Sequence, residues 1–128
     1  MPGAIEKILL VDDDEEIRGI AELCLGRAWA VLVAATGRDA LELAEREHPS
    51  VALVDLCMPG MGGLALLRAL RACAATAYLP VIFLTAAIQP DEVEGYRALG
   101  ALGVIGKPFS PLALPAVVRR MMQQGGPA

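Results

Sequence analysis

Five short apolar segments alternate with five segments of helical periodicity, and this alternation limits the chain to few folds. Each apolar segment is nearly uninterrupted by polar residues, which is typical of a strand that is buried on both faces. The predicted strands span residues 7–11, 29–34, 51–54, 81–84 and 103–105. The predicted helices span residues 15–27, 37–47, 62–74, 91–99 and 111–124. Strict alternation with short connections predicts an α/β fold: a doubly wound, five-stranded parallel sheet with helices on both faces.

The last predicted helix carries two conflicting signals. Ser110 and Pro111 are typical of an N-cap and a first helical residue, so we predict that the helix begins there. Pro115 would then lie in the first or second turn, where a missing amide donor disrupts a helix. We therefore expect either a kink at Pro115 or a helix that begins later than Ser110 indicates.

Length and composition exclude several functional classes. A chain of 128 residues with 55% hydrophobic and 20% charged residues is expected to form one globular domain. Lys and Arg number 11 against 15 Asp and Glu, the net charge is −4, and aromatic residues make up 4%. Such an acidic, aromatic-poor domain is poorly suited to bind nucleic acid directly. No apolar run reaches the roughly 18 residues of a membrane helix, and the start of the chain has no signal-peptide pattern.

The cysteines indicate a reducing compartment. Cys24, Cys57 and Cys73 are odd in number and show no Cys-x-x-Cys spacing. This set is typical of free thiols and favours neither a disulfide framework nor a zinc site. We therefore expect a cytoplasmic protein.

Polar residues follow four of the five predicted strands at the point where each strand ends. Residues 12–14 are all aspartates and follow the first strand, and Asp55 follows the third. Thr85 follows the fourth strand, and Lys107 follows the fifth. Ligands of parallel α/β sheets bind at the carboxyl ends of the strands. We therefore expect the aspartates, the hydroxyl and the ammonium to converge on one site.

This combination of groups suits a divalent cation and a phosphoryl group. Clustered carboxylates repel one another unless a cation joins them, and Mg²⁺ needs few oxygen ligands from the protein. Asp13 and Asp55, with a nearby backbone carbonyl, would suffice as those ligands. Lys107 supplies a compact positive charge for phosphate, and Thr85 supplies a hydroxyl donor. Asp55 would then be the phosphoryl acceptor.

Each of these residues also has an ordinary structural interpretation. Asp13, with Glu16 three residues later, is similar to a capping box at the start of the first helix. Asp55 taken alone is equally a loop or N-cap residue, and Thr85 and Lys107 taken alone indicate no function. The joint occurrence of these residues at four strand ends favours the site.

Four motifs at these strand ends resemble those of one known family, the receiver domains of two-component response regulators. The resemblance covers essentially the whole chain, and it implies a flavodoxin-like sheet with the strand order 2-1-3-4-5. It also implies a single receiver domain over residues 1–128. The core is predicted over about 5–124, and residues 125–128, which read GGPA, are typical of a flexible tail. Many receivers dimerise, so the resemblance allows a homodimer. The motifs are LLVDDDEE at 9–16, VALVDLCMPGMGG at 51–63, VIFLT at 81–85 and GKPF at 106–109.

The resemblance implies a signalling role that depends on phosphorylation. Asp55 would be the phosphoacceptor, Thr85 the switch hydroxyl and Lys107 the contact to the phosphoryl group. The donor would be a phosphohistidine on a sensor histidine kinase or a phosphotransfer protein, and phosphorylation would change binding to an unidentified downstream protein. Chemistry would be limited to the chain's own phosphorylation and dephosphorylation, so we do not expect an enzyme that turns over substrates.

The resemblance also implies Mg²⁺ as the cofactor and assigns its ligands. Asp13 would be a direct ligand, and Asp12 would act through a water molecule. Asp55 and the main-chain carbonyl of Cys57 would be the remaining protein ligands.

Two alternatives to a phosphorylation-controlled receiver remain open, and the first of them rests on a departure from the family pattern. Receivers usually carry Tyr or Phe three residues before the lysine of strand five, where this chain has Val104. One alternative is therefore a receiver-like binding module that phosphorylation does not switch. The other is a phosphatase similar to the haloacid dehalogenases, because Asp12 and Asp14 form an Asp-x-Asp pattern after a strand. Glu16 stands where that family has Thr or Val, which disfavours the phosphatase.

Overall fold

The computed structural model describes residues 6–86 and 89–124, and it confirms the predicted alternation of strands and helices. The strands are β1 (Lys7–Val11), β2 (Ala30–Ala34), β3 (Val51–Asp55), β4 (Val81–Thr85) and β5 (Gly103–Gly106). The helices are α1 (Glu15–Leu25), α2 (Gly37–Glu47), α3 (Gly63–Ala72), α4 (Pro90–Ala98) and α5 (Leu114–Gln124). Residue 5, where the predicted core begins, and the predicted tail at 125–128 lie outside the described residues.

The five strands form one parallel sheet in the order β2-β1-β3-β4-β5. This confirms both the doubly wound parallel sheet and the strand order that the family resemblance implies. The order reverses between β1 and β3, so the carboxyl ends of these two strands flank the crevice where ligands of such sheets bind.

Alternate residues of the strands face two separate hydrophobic cores. One core buries Leu9, Val54 and Phe83 against apolar residues of α2 and α3. The other buries Leu10 and Leu84 against apolar residues of α1 and α5. Burial on both faces is the physical reason why β1, β3 and β4 are uninterrupted apolar runs, whereas β2 and β5 are only partly buried.

Helix α5 begins at Leu114, so the prediction that it begins at Ser110 and Pro111 is wrong. Residues 111–113 form a turn, and the Leu114 amide donates to the Ser110 carbonyl at 3.0 Å. Pro115 is therefore the second helical residue. An amide there would have no partner within the helix, so proline is tolerated. The later start was one of the two outcomes that Pro115 led us to expect.

The other boundaries lie within two residues of the predicted ones. Helix α1, for example, ends at Leu25 because Gly26 caps it, with the Gly26 amide donating to the Glu22 carbonyl at 2.9 Å. No helix within residues 6–86 and 89–124 is long and apolar enough to cross a membrane.

Candidate functional site

The sheet brings the predicted site residues to one edge. Asp55 and Thr85 are the last residues of β3 and β4, and Asp12 directly follows β1. Lys107 directly follows β5, and its amide donates to the Thr85 carbonyl at 2.8 Å. The predicted convergence on one edge of the sheet is therefore confirmed for the backbone positions of these residues.

Three carboxylates form the centre of this edge. Asp12, Asp13 and Asp55 each offer an oxygen, and these oxygens lie within 4.8 Å of one another. The Asp12 side chain is fully buried, and Asp55 is only 6% exposed, whereas Asp13 is exposed. The cluster therefore has two acids set into the protein and a third at its mouth, where a ligand can enter.

Local hydrogen bonds separate the roles of the three successive aspartates. Asp14, not Asp13, is the N-cap of α1, since its Oδ1 accepts from the amides of Glu16 and Ile17 at 3.0 and 3.2 Å. The capping-box interpretation of Asp13 is therefore wrong. Asp12 Oδ1 accepts from the Asp14 amide at 2.9 Å, which fixes the orientation of that carboxylate. Asp13 does not cap α1, and its carboxylate lies with those of Asp12 and Asp55.

Lys107 connects the two buried acids. Its Nζ lies 3.0 Å from Asp12 Oδ2 and 3.4 Å from Asp55 Oδ1. Apart from this ion pair, Asp12 Oδ2 has no hydrogen-bond partner within the part of the chain that the structure describes. The Asp55 carboxylate also accepts from the Cys57 amide at 3.2 Å. One ammonium thus serves two carboxylates.

The electrostatics of the cluster favour protonation of Asp55. Burial, and next the charge of Asp12, raise the pKa of Asp55 from 3.8 to about 6, although Lys107 and the Cys57 amide oppose the rise. Burial opposes the charge of the Lys107 ammonium, but Asp12 and Asp55 outweigh burial, and the pKa of Lys107 is raised. The site is therefore short of positive charge.

These residues fit a hard divalent cation such as Mg²⁺. Three carboxylates against one ammonium leave two negative charges in excess, which a dication would neutralise. The available ligand atoms are oxygens, which Mg²⁺ prefers, and the exposed Asp13 leaves room for the waters that Mg²⁺ retains.

The structure also identifies contacts that the sequence did not indicate. Arg18 Nη1 donates to the Asp12 carbonyl at 2.9 Å and so fastens α1 to the loop that carries the acids. Gly63 packs so closely on β3 that a Cβ there would lie 2.9 Å from the Asp55 carbonyl oxygen. Arg18 lies in none of the four motifs. Gly63 ends the motif at 51–63, but the motif alone does not indicate that this glycine packs on β3.

The face of the sheet beside α4 differs from what the family resemblance implies. Val104 is half-buried and packs with Phe83, its register partner on β4. Tyr96 of α4 packs edge-on against the Phe83 ring, with 5.6 Å between ring centroids. The aromatic residues beside Val104 are therefore Phe83 of β4 and Tyr96 of α4, and β5 supplies none.

Comparisons with known proteins point to one family. The family model described as "Response regulator receiver domain" matches residues 8–119. A probable transcriptional regulator ycf27 of Porphyridium aerugineum is 39% identical over 121 residues, which cover 93% of this chain and 49% of the relative. The transcriptional regulatory protein GltR of Pseudomonas aeruginosa is 39% identical over 119 residues, which cover 91% of this chain and 49% of the relative. The chain thus spans about half the length of the curated relatives it matches.

Solved structures give the same result. The chemotaxis protein CheY4 of Vibrio cholerae is 34% identical with a TM-score of 0.85, and the match covers 92% of this chain and 99% of that one. A beryllofluoride-activated DrrB receiver domain is 28% identical with a TM-score of 0.79, and the match covers 94% of this chain and 99% of that one.

Proposed function

Because the chain belongs to the response regulator receiver domain family of two-component systems, we propose that it accepts a phosphoryl group on Asp55. The observation that carries this proposal is the arrangement around Asp55. The side chain lies at the carboxyl end of β3, with Lys107 Nζ at 3.4 Å and two further carboxylates within 4.8 Å. This arrangement offers a nucleophile, a cation for the phosphoryl oxygens and ligands for a metal ion at one place.

The donor is a phosphohistidine of a sensor histidine kinase or a phosphotransfer protein. A carboxylate oxygen of Asp55 attacks phosphorus, the P–N bond breaks, and the histidine ring leaves with the bond's electron pair and takes up a proton. The product is an acyl phosphate, which water later hydrolyses to free phosphate and the original carboxylate. The chain thus acts as a phosphoryl acceptor with self-dephosphorylation, not as an enzyme of multiple turnovers.

The attacking carboxylate of Asp55 must be ionised, and nearby positive charge favours its ionised form. Without metal, the pKa of Asp55 is about 6, so a fraction of this carboxyl group is protonated near neutral pH. Asp12, Asp13, Asp55 and the main-chain carbonyl of Cys57 are the proposed protein ligands of Mg²⁺, with Asp12 acting through water. When bound, the ion supplies positive charge that favours ionised Asp55 and neutralises phosphoryl oxygens.

Phosphorylation adds a doubly charged group beside Thr85 and Lys107. The Lys107 ammonium is already within ion-pair distance of Asp55, so it can pair with the phosphoryl oxygens without moving far. The buried Thr85 hydroxyl is the proposed donor that follows the new oxyanion. The resulting change in packing beside β4 would alter binding to a downstream protein, within the cytoplasm.

The domain itself is proposed to bind protein and not nucleic acid, since its net charge is −4. The two curated relatives are named as transcriptional regulators, and this chain matches only about half of each. A role in transcription would therefore be exerted through another chain or through a segment outside these 128 residues, and not through direct DNA binding by the receiver.

A calorimetric titration with beryllofluoride in the presence of Mg²⁺ tests whether Asp55 is the phosphoryl acceptor. Beryllofluoride mimics a phosphoryl group on an aspartate, and a similar solved structure is a receiver domain activated by it. We expect tight binding to the wild-type chain, loss of binding in Asp55→Asn, and unchanged binding in Asp39→Asn, which alters an exposed acid at the start of α2. Unchanged binding in Asp55→Asn would rule out Asp55 as the acceptor.

A second candidate, a binding module that phosphorylation does not switch, is favoured by Val104. Hydrogen exchange of α4 and β5, with and without beryllofluoride, distinguishes the two. Exchange rates that change in both elements support the switch. Exchange rates that change only in the loops that follow β1, β3 and β5 favour the binding module that phosphorylation does not switch. The phosphatase alternative is disfavoured because Asp14, the second acid of its pattern, is used as the helix cap.

A further inference from the structure

The sheet has an unprotected edge at β2. The Ala30 amide donates to the Glu6 carbonyl at 2.9 Å, and the Ala34 carbonyl accepts from the Asp12 amide at 3.2 Å, so the backbone groups of these two residues face β1. Backbone groups alternate in direction along a strand, so those of Val31 and Val33 face away from β1. Because β2 is the terminal strand of the sheet, these groups lie at an open edge.

The two edges of the sheet differ in how they resist pairing with another chain. Strand β5 has only four residues, begins and ends with glycine, and runs directly into Lys107 and Pro108. Short edge strands, lysine and proline are the usual means of blocking edge-to-edge pairing. Strand β2 reads AVLVA, with no charge, proline or glycine, and Val31, Leu32 and Val33 are all partly exposed. Only β5 is therefore protected.

An exposed apolar face of α1 continues this edge. A shallow groove is lined by Gly19, Glu22, Leu23, Gly26, Arg27 and, from β2, Val31. Leu23 is 77% exposed, which is the highest value among the large hydrophobic residues that the structure describes. A Cβ at Gly19 would meet nothing within 4 Å, so packing within this chain does not require a glycine there. Gly19 therefore lowers the stability of α1, as glycine does in a helix interior, and leaves open space on the surface of the helix.

We propose that this surface binds a second copy of the chain across a two-fold axis beside Leu32. Two β2 strands related by such an axis run antiparallel. Val31 of one copy then lies opposite Val33 of the other, and each pair exchanges N–H···O bonds in both directions. This register uses every outward-facing backbone group of Val31 and Val33. The two sheets become one continuous sheet, and Leu23 of each copy is covered.

The charges along α1 suit self-association. Its first turn is acidic, with Glu15 and Glu16, and Glu22 follows, whereas the exposed Arg27 lies just beyond its C-terminus. A two-fold axis places the two α1 helices antiparallel, so Arg27 of one copy faces the acidic part of α1 in the other. Because an isologous interface must be self-complementary, a surface with an acidic end and a basic end fits a second copy of itself.

Analytical ultracentrifugation of the unphosphorylated chain over a dilution series tests the proposal, which does not depend on phosphorylation at Asp55. We expect a concentration-dependent dimer. Leu23→Glu should raise the dimer dissociation constant by at least about tenfold, because it places a charge on the apolar surface that the second copy covers. Val33→Pro should do the same by removing an outward amide, since proline is tolerated at an open strand edge.

Leu112→Glu is the matched control, because Leu112 is 76% exposed and lies outside this surface. It should leave the dissociation constant unchanged. In the wild type, the Val31 and Val33 amides should exchange with solvent more slowly as the dimer forms. A wild-type chain that stays monomeric at all concentrations would overturn the proposal, as would a dimer that Leu23→Glu leaves intact. Circular dichroism checks the folding of each variant, and Leu23→Glu decides the result if Val33→Pro does not fold.

Discussion

The Nζ atom of Lys107 lies 3.0 Å from Oδ2 of Asp12, and this ion pair is the main source of positive charge within the carboxylate cluster. Lys107→Met should therefore leave the buried acids without a cation. We expect the free energy of unfolding in chelator to fall by about 1–3 kcal/mol, because the buried Asp12 carboxylate loses its partner. Urea denaturation measures the change.

Lys7→Met provides the control for this variant. Lys7 pairs with Glu47 at 3.0 Å, but both side chains are substantially exposed, so the loss of stability should be clearly smaller than in Lys107→Met. Mg²⁺ should restore more stability to Lys107→Met than to the control, since a dication substitutes for the lost ammonium. Equal losses in the two variants would contradict the assigned role of Lys107.

The raised pKa of Asp55 predicts that the free energy of unfolding of the metal-free chain depends on pH. The folded chain holds the Asp55 proton up to pH 6 or so, whereas an ordinary carboxyl group releases it near 3.8. Ionised Asp55 therefore destabilises the folded state, and stability is lost as the pH rises through about 6. Asp55→Asn removes the titration and should stabilise the chain by about 1–3 kcal/mol near pH 8.

The stabilisation by Asp55→Asn should shrink as the pH falls and vanish below about pH 4, where both states bind the proton. Urea denaturation of wild type and variant in chelator, repeated over this pH range, follows the difference. A difference that stays constant over the range would show that Asp55 does not titrate with a raised pKa.

Asp13 should control metal affinity without supporting the fold. Its side chain is exposed, so Asp13→Asn should leave the stability in chelator nearly unchanged. The dissociation constant for Mg²⁺ should rise by at least about tenfold, which removes roughly 1.4 kcal/mol of stabilisation by saturating metal. Thermal denaturation over a Mg²⁺ titration measures both quantities. Glu15→Gln, at an exposed acid outside the cluster, should change neither.

The close approach of Gly63 to β3 predicts that a single methyl group disturbs the site. A Cβ there would lie 2.9 Å from the Asp55 carbonyl oxygen and 2.9 Å from the Leu56 Cα, which are backbone atoms that cannot rotate away. Gly63→Ala should destabilise the chain by about 1–3 kcal/mol. Gly95→Ala in α4 is the control, since a Cβ there meets nothing within 4 Å, and it should stabilise by about 0.5–1 kcal/mol. Urea denaturation in chelator tests both, and a neutral Gly63→Ala would contradict the close packing.

The strands and the location of the site could be predicted because simple physical rules determine both. Strands buried on two faces must be apolar, so segments such as VALV before Asp55 are visible in the sequence. Parallel strands place their carboxyl ends at one edge, so Thr85 and Lys107 could be assigned to the same place as Asp55 although they are distant in the sequence.

The remaining features depend on contacts that a local pattern does not contain. Ser110 and Pro111 have the residue types of a helix start, but Pro115 removes the amide that would bond to the Pro111 carbonyl, and α5 begins at Leu114. Asp13 and Asp14 are equally good caps by type, and only the hydrogen bonds of the folded chain assign the cap to Asp14. The contact of Arg18 with the Asp12 carbonyl joins two elements and leaves no periodic signal.

Identifying the residue that becomes phosphorylated tests most directly whether Asp55 is the acceptor. The chain is incubated with Mg²⁺ and a small acyl phosphate donor, and mass spectrometry then measures the intact mass and the modified peptide. We predict one added phosphoryl group on the peptide that contains Asp55, its absence in Asp55→Asn, and its absence when chelator replaces Mg²⁺. A phosphoryl group on another residue, or equal labelling of Asp55→Asn, would contradict the assignment of Asp55 as the phosphoryl acceptor.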